Sequence, residues 1–411
     1  MDIEQTTNTS DKRAVLKLLV ALSIPTVLEQ ILSTLLQYVD TAMVGQLGEQ
    51  ATAAVSVTTT ITWLVNSLSS ALGVAVLAMI AKAVGSGDKK RAQGIAGQAL
   101  LAVIVCGVVI GGISIILSPF IPVWMGAEQA VQKPASRYFL IVSLPMVFRA
   151  SSTILGAAIR ATQNTKTPML ISMGANIINA VLNVVFIYIC GWGVVGAALA
   201  SAISYVFSGI GMFVAYRKNP WLWWPWRKFA IDKKILREAL VISVPVLATS
   251  MVSCLGYVFF AGMVSGMGTT IFAAHSIAVT AETIFYIPIS GMRTATSAMV
   301  GNALGEHNQE KFENTRNLSV IITLAMMFVS GIVLYFVSYP LMSLFTNSDA
   351  VAVLGAKMLR LVAFSEPFFG LTIVLEGIYY GLGRTRYPFF VESGRKSMNR
   401  SDNKTATGGS T

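Results

Sequence analysis

The chain has 411 residues, 54% hydrophobic and 12% charged, with a mean hydropathy of +0.67 and a formal net charge of +11. Soluble domains carry about 25% charged residues, so the composition excludes a water-soluble domain and specifies a polytopic membrane protein. The basic balance does not point to nucleic acid, because the cations collect in loops on one side of the apolar runs.

Ten apolar runs are legible, at about 16 to 45, 51 to 81, 92 to 117, 134 to 159, 168 to 190, 194 to 216, 237 to 265, 271 to 301, 317 to 337 and 351 to 382. Lipid offers the backbone no hydrogen-bond partner and the runs are too long for barrel strands, so they are predicted to be helices. The first, as a helix, is about 45 Å long against roughly 30 Å of bilayer hydrocarbon, so it must tilt or bend. It is also too long for a signal-peptide core and is expected to stay as a span. Pro25 removes a helix hydrogen bond and is the candidate hinge. Beyond it Glu29, Ser33, Gln37 and Asp40 stack on one face, a polar ladder that cannot look at lipid. A charged side chain at mid-bilayer costs about 2.5–3.5 kcal/mol, so an intramembrane Asp40 is a functional-site hypothesis.

Lys12, Arg13, Lys17, Lys82, Lys89, Lys90, Arg91, Arg160, Lys166, Lys311 and Arg316 fall on one side with the basic 217–237 and 384–404 segments, whereas the other side holds Lys133, Arg137, Lys357 and Arg360. The positive-inside rule therefore places the N-terminus in the cytoplasm. Cys106, Cys190 and Cys254 are odd in number, lie in apolar settings without CxxC spacing, and read as buried small apolar residues rather than disulfides or metal ligands.

Adding 220 to the first half recovers the second: Ser23, Pro25 and Ser33 fall on Ser243, Pro245 and Ser253, Gly48 on Gly268, Gly85 on Gly305, and Pro168 on Pro388. One offset held over four helices is an internal duplication. Six spans separate the two starts, so the units are parallel repeats able to rock about a central site. The predicted fold is all-α: residues 1–216 form a six-span N-terminal lobe, 217–236 a cytoplasmic Trp/Lys/Arg-rich linker, 237–391 a four-span C-terminal lobe, and 392–411 a disordered polar tail. The counterparts of spans five and six are missing, as in a shortened or frame-shifted product. In the linker, Trp221, Trp223, Trp224 and Trp226 suit a headgroup anchor.

Topology also brings separated residues to one depth. Asp40 lies near the outer end of span one; Asn176, Asn179 and Asn183 share a face of span five, which runs outward; Ser201 lies about two turns into span six. A carboxylate facing amides and a hydroxyl in a partly dry cavity can exchange a proton. Asp40, Asn179, Asn183, Gln37 and Ser201 are thus the candidates for cation or proton coupling, and Glu29, Tyr38, Asn176 and Glu282 for the substrate cavity. The alternative for the asparagines is interhelical glue. In the second half Glu282, Glu366 and Glu376 either bind a cationic substrate or pair with Arg149 or Arg293. His275 and His307 are the only histidines, and no HExxH or GxSxG pattern occurs, so an enzyme lacks support.

These stretches, SIPTVLEQ, VDTAMVGQLG, AVGSGDKKRA, ATQNTKTP, NIINAVLNVVFIYICGWGVVGAALASAIS, AAHSIAVTAE, VGNALGE and YYGLGRTRYP, together resemble the multidrug and toxic compound extrusion (MATE) transporters of the multidrug, oligosaccharidyl-lipid and polysaccharide exporter superfamily, over about residues 14 to 391. The resemblance implies two six-helix lobes around a cavity and export of cationic or amphipathic drugs in exchange for protons or sodium. Asp40 matches the family's first-helix acid, Pro25 the proline where that helix bends, and Asn179 a fifth-helix polar residue. Asn183 stands where members of the branch whose N-terminal lobe binds the proton often have Asp. Ser253 and Phe369 replace the acids of the NorM-like second-lobe cation site. The expectation is a monomeric multidrug antiporter of a bacterial inner membrane, without a cofactor beyond the coupling proton or sodium ion, taking small-molecule drugs or organic cations and no nucleic acid. A lipid-linked sugar flippase and an inactive truncated fragment are the alternatives.

Overall fold

The computed structural model describes residues 11–223, 231–346 and 348–388, so Trp224, Trp226 and the tail expected at 392–411 lie outside the described residues. The described residues form α1 (Lys12–Gly45), α2 (Glu49–Gly85), α3 (Lys89–Leu117), α4 (Ile121–Trp124), α5 (Gln129–Ser143), α6 (Met146–Ala161), α7 (Lys166–Asn183), a π-helical turn (Val184–Ile189), α8 (Gly193–Lys218), α9 (Lys233–Ser265), α10 (Thr269–Gly305), α11 (Gln309–Phe345) and α12 (Asp349–Gly381). Nine of these are long and apolar enough to cross a membrane, and ten if the bent pair α5 and α6 counts as one span.

Polar residues in the loops start the helices. The side chains of Asp11, Asp88, Asp232 and Asn308 accept from backbone N–H groups in the first turns of α1, α3, α9 and α11, satisfying donors that have no partner within the helix. The duplication seen at offset 220 reappears in the backbone. α2 and α10 begin at 49 and 269 and end at 85 and 305, α3 and α11 begin at 89 and 309, and α6 and α12 end at 161 and 381. Left-handed residues also recur in register, Gly48 with Gly268, Gly87 with His307, and Gln163 with Gly383.

Three departures from the expected spans have local causes. The fourth is two helices bent by 51° at the break between Ser143 and Met146, where Pro145 withholds a backbone N–H. Its counterpart at offset 220 is Ser365, and α12 runs on unbroken. The short α4, with Pro122 in its first turn, has no partner in the second half. The fifth span widens into a π-helix directly after Asn183.

Apolar side chains on the outer surface, among them Val108, Ile116, Phe259, Phe328 and Phe336, form the face that lipid covers. Inside, small residues let backbones touch: a Cβ on Gly107 would sit 2.4 Å from Val147 Cα, and one on Gly209 2.4 Å from Phe148 O. Such close approach is how helices pack where lipid competes on equal terms with apolar side chains. The three cysteines are free, and none is buried; Cys190 is exposed. That corrects their assignment to the core, because the turn that follows Ile189 carries Cys190 out of the packed bundle. Trp221 and Trp223 pack partly against the core cluster around Tyr216 and Leu222, and Arg217 lies over the Trp223 ring.

The two halves meet most closely at the ends of α2 and α10. A Cβ on Gly85 would lie 2.1 Å from Asn302 O, and one on Gly305 2.0 Å from Lys82 O. Lys82 and Asn302 are themselves equivalent at offset 220. The contact is therefore reciprocal, each helix laying its glycine on the other's backbone.

Candidate functional site

Two polar centres lie along α1. At the far end from the α2–α10 contact, the Asn183 amide donates to Asp40 Oδ1. Asn183 also reaches Asn179 Oδ1 at 3.3 Å, and Asn179 Nδ2 reaches Ser201 Oγ at 3.3 Å. With the Asn179 amide turned by 180°, its nitrogen lies 3.3 Å from Asp40 Oδ1 while its oxygen accepts from Ser201 N–H at 3.3 Å. A carboxylate favours that orientation, which gives it two amide donors. Asn183 is completely buried and Ser201 is 8% exposed. Asp40, Asn179, Asn183 and Ser201 thus meet in one cluster, and among the described residues Asp40 has no ion-pair partner. Tyr138 on α5, not singled out from the sequence, lies near enough to interact with the Asp40 charge; no spacing rule links the two helices.

The other predicted residues fall elsewhere. Gln37 is exposed, and no hydrogen bond joins it to the cluster. Asn176 donates to Ser33 Oγ at 2.9 Å, tying α7 to α1. The Tyr38 hydroxyl donates to Thr280 O on α10 at 3.1 Å. α1 runs as an unbroken helix through Pro25, which is buried. Glu282 on α10 stands near Glu366 of α12, close enough for the two to interact electrostatically. Glu366 is 1% exposed, with neither carboxylate oxygen hydrogen-bonded. The same register brings Tyr286 and Phe369 to 4.5 Å between ring centroids.

The second centre is an open cavity of about 300 Å³ bordered by α1, α2, α6 and α10, with Glu29, Arg160 and Arg293 in its wall beside the hydroxyls of Thr26, Ser70 and Thr294. Glu29 lies about 16 Å below Asp40 along the helix. Both its oxygens accept from Arg160 Nη2, at 2.9 and 2.8 Å. Arg160, expected among the cytoplasmic-side cations just past the fourth apolar run, belongs to the last turn of α6 and turns inward over Gly156, whose missing side chain leaves the room. Arg293 pairs with Glu376 at 3.2 Å, while Arg149 lies over the Tyr205 ring at 4.6 Å. Of the two choices left open for the second-half acids, Glu376 takes internal pairing.

Nine or ten apolar spans among the described residues, a carboxylate within the first of them and a charged cavity between repeated halves define a polytopic helical membrane transporter. The MatE family profile matches residues 25–189 and 245–394, two stretches whose starts differ by the same 220, and the chain belongs to that family of transporters, which are not enzymes. It is 23% identical over 382 residues to the probable multidrug resistance protein NorM of Thermotoga maritima, covering 91% of this chain and 82% of that protein. It is 26% identical to the probable NorM of Halalkalibacterium halodurans, covering 91% and 83%. A crystal structure of a mutant of the Vibrio cholerae MATE transporter VcmN superposes with a TM-score of 0.89 at 21% identity, over 94% of this chain and 88% of that one. An outward-facing multidrug resistance MATE transporter superposes at 0.88 with 24% identity, over 96% and 89%. The fold is therefore that of the MATE transporters.

Proposed function

We propose that this protein is a multidrug efflux antiporter that exports cationic or amphipathic compounds and takes up a cation, a proton in preference to sodium, through Asp40. The observation that carries the reading is the Asp40 carboxylate within a membrane span, taking a hydrogen bond from Asn183 and, in the favoured amide orientation, one from Asn179, and lacking a basic partner among the described residues. An acid kept there without a fixed counter-charge is suited to taking up and releasing a cation. Asn183 in place of a second acid makes this a one-carboxylate site. The names of the NorM relatives support drug export.

On this reading α1–α8 form a six-span unit and α9–α12 a four-span counterpart, with the 217–236 linker and the N-terminus on the cytoplasmic side of a bacterial inner membrane. Pro25 serves as the hinge of α1. The chain acts as a monomer, its cofactor being the coupling ion alone. Inward cation movement down the membrane potential supplies about 2.3 kcal/mol per charge per 100 mV, enough to bias two conformations that differ by a few kcal/mol. The flippase alternative needs a basic cluster for a pyrophosphate, and the wall of the cavity carries only one cation in excess of its carboxylate.

The test is Asp40→Asn in a pump-deficient host. Drug resistance should vanish while the protein still inserts in the membrane; unchanged resistance would remove the coupling role.

A further inference from the structure

The place where α3 and α9 begin carries charge that the export reading leaves unused. Arg91 Nη2 lies 3.2 Å from Glu238 Oε2, and a Cβ on Gly94 would sit 3.5 Å from Ile235 Cδ1, so the first turns of the two helices stand side by side. Beneath them Ala92, Ile95, Ile235 and Ala239 share one core cluster. Lys89, Lys90, Lys233, Lys234 and Arg237 are exposed around it, and none of them is in an ion pair among the described residues. The neighbouring acids are already engaged. Asp88 accepts from the N–H of Arg91, Asp232 accepts from those of Lys234 and Ile235, and Glu238 holds the Arg91 guanidinium. These caps also close the ends of the helices, so what the junction presents is side-chain cations and not backbone donors.

We propose that the α3–α9 junction binds the headgroup of an anionic phospholipid in the leaflet on this side of the membrane, the cytoplasmic one in the orientation given above. The duplication supplies the comparison that separates this from ordinary sidedness. Residues 86–94 and 231–239 carry six cations against three acids, whereas the equivalent stretches 306–314 and 11–19, where α11 starts beside α1, carry four against four. The counterpart of Arg91 is Lys311, which is buried and bonded to both oxygens of Glu306. Both junctions lie at the same end of the bundle, so the positive-inside rule applies to each alike and does not account for the difference. Depth also fits. On α9 the face that carries Lys233 and Arg237 continues as Leu240 and Val244, which are 48% and 57% exposed, so cations give way to lipid-facing apolar residues within about one turn. A phosphate against the lysines leaves its acyl chains along Leu240 and Val244, and basic clusters at this level attract anionic headgroups. Because α3 belongs to the first repeat and α9 to the second, one headgroup touches both halves.

The experiment titrates the purified full chain in detergent with phosphatidylglycerol and, separately, with phosphatidylcholine of the same acyl chains, and counts bound lipid by native mass spectrometry. The unaltered chain should bind phosphatidylglycerol at least fivefold more tightly than phosphatidylcholine, and less tightly as salt rises. Lys89→Gln, Lys90→Gln, Lys233→Gln and Lys234→Gln combined should abolish the preference, and the same four positions changed to Arg should keep it. Lys12→Gln, Arg13→Gln and Lys17→Gln combined, at the equivalent junction, should leave it within about twofold. Equal binding of the two lipids by the unaltered chain, or indifference to salt, overturns the proposal without recourse to any variant. A preference that survives in the fourfold Gln variant, or that falls as far in the threefold one, overturns it as well. Displacement of phosphatidylglycerol by millimolar inorganic phosphate makes the junction a phosphate site instead and overturns the lipid assignment.

Discussion

At the scale of single residues, the arrangement around Asp40 is a carboxylate whose environment is made of amides and a hydroxyl. Asn183 is the member in direct contact, and it is wholly buried. Asn183→Ala should leave the fold intact at a cost of roughly 1 kcal/mol, in line with interhelical polar contacts in membranes, and should lower efflux by more than that small destabilisation explains. A melting curve and a dye-efflux rate measured on the same preparation separate the two effects. Asp40, Asn179, Asn183 and Ser201 were legible in the sequence because helical periodicity and span direction alone set their depth. Arg160 was not. Its charge reads as a loop cation in one dimension, and only the fold shows that α6 ends beside α1, with Gly156 leaving space for the guanidinium to turn inward.

At the scale of elements, the two halves touch backbone to backbone where α2 meets α10. Carbonyl oxygens lie where a side chain on Gly85 or Gly305 would have to go, and backbone cannot step aside as a flexible side chain does. Gly85→Val should pry these ends apart. Cysteines placed near the α2–α3 turn should then react faster with a membrane-impermeant maleimide in inside-out vesicles than they do in the parent protein; equal rates would mean that the contact is not a seal. Pro25→Ala tests the other moving part. The substitution returns a hydrogen-bond donor to α1, so efflux should fall with expression and insertion unchanged if bending there is needed for the cycle. The helices themselves were readable from apolar runs, with boundaries shifted by a few residues where caps such as Asp11 and Asn308 lie outside the apolar stretch. The 51° break at Pro145 and the π-turn after Asn183 were not read from the runs, since hydropathy carries no record of where a ladder of hydrogen bonds is interrupted.

At the scale of the whole molecule, the coupling ion is an energetic property of the complete cycle. Dye efflux from cells should collapse with a protonophore and persist without sodium; the reverse result would assign sodium to the Asp40 site. By itself the sequence determined the membrane class, the duplication at offset 220 and the members of the Asp40 cluster, because hydropathy, repeat register and helical periodicity are properties of the chain read along its length. The reciprocal glycine contact, the pairing of Glu29 with Arg160 and the gathering of two arginines on one cavity were decided by tertiary structure alone. Each depends on which helices become neighbours, and that is settled by packing among segments far apart in sequence.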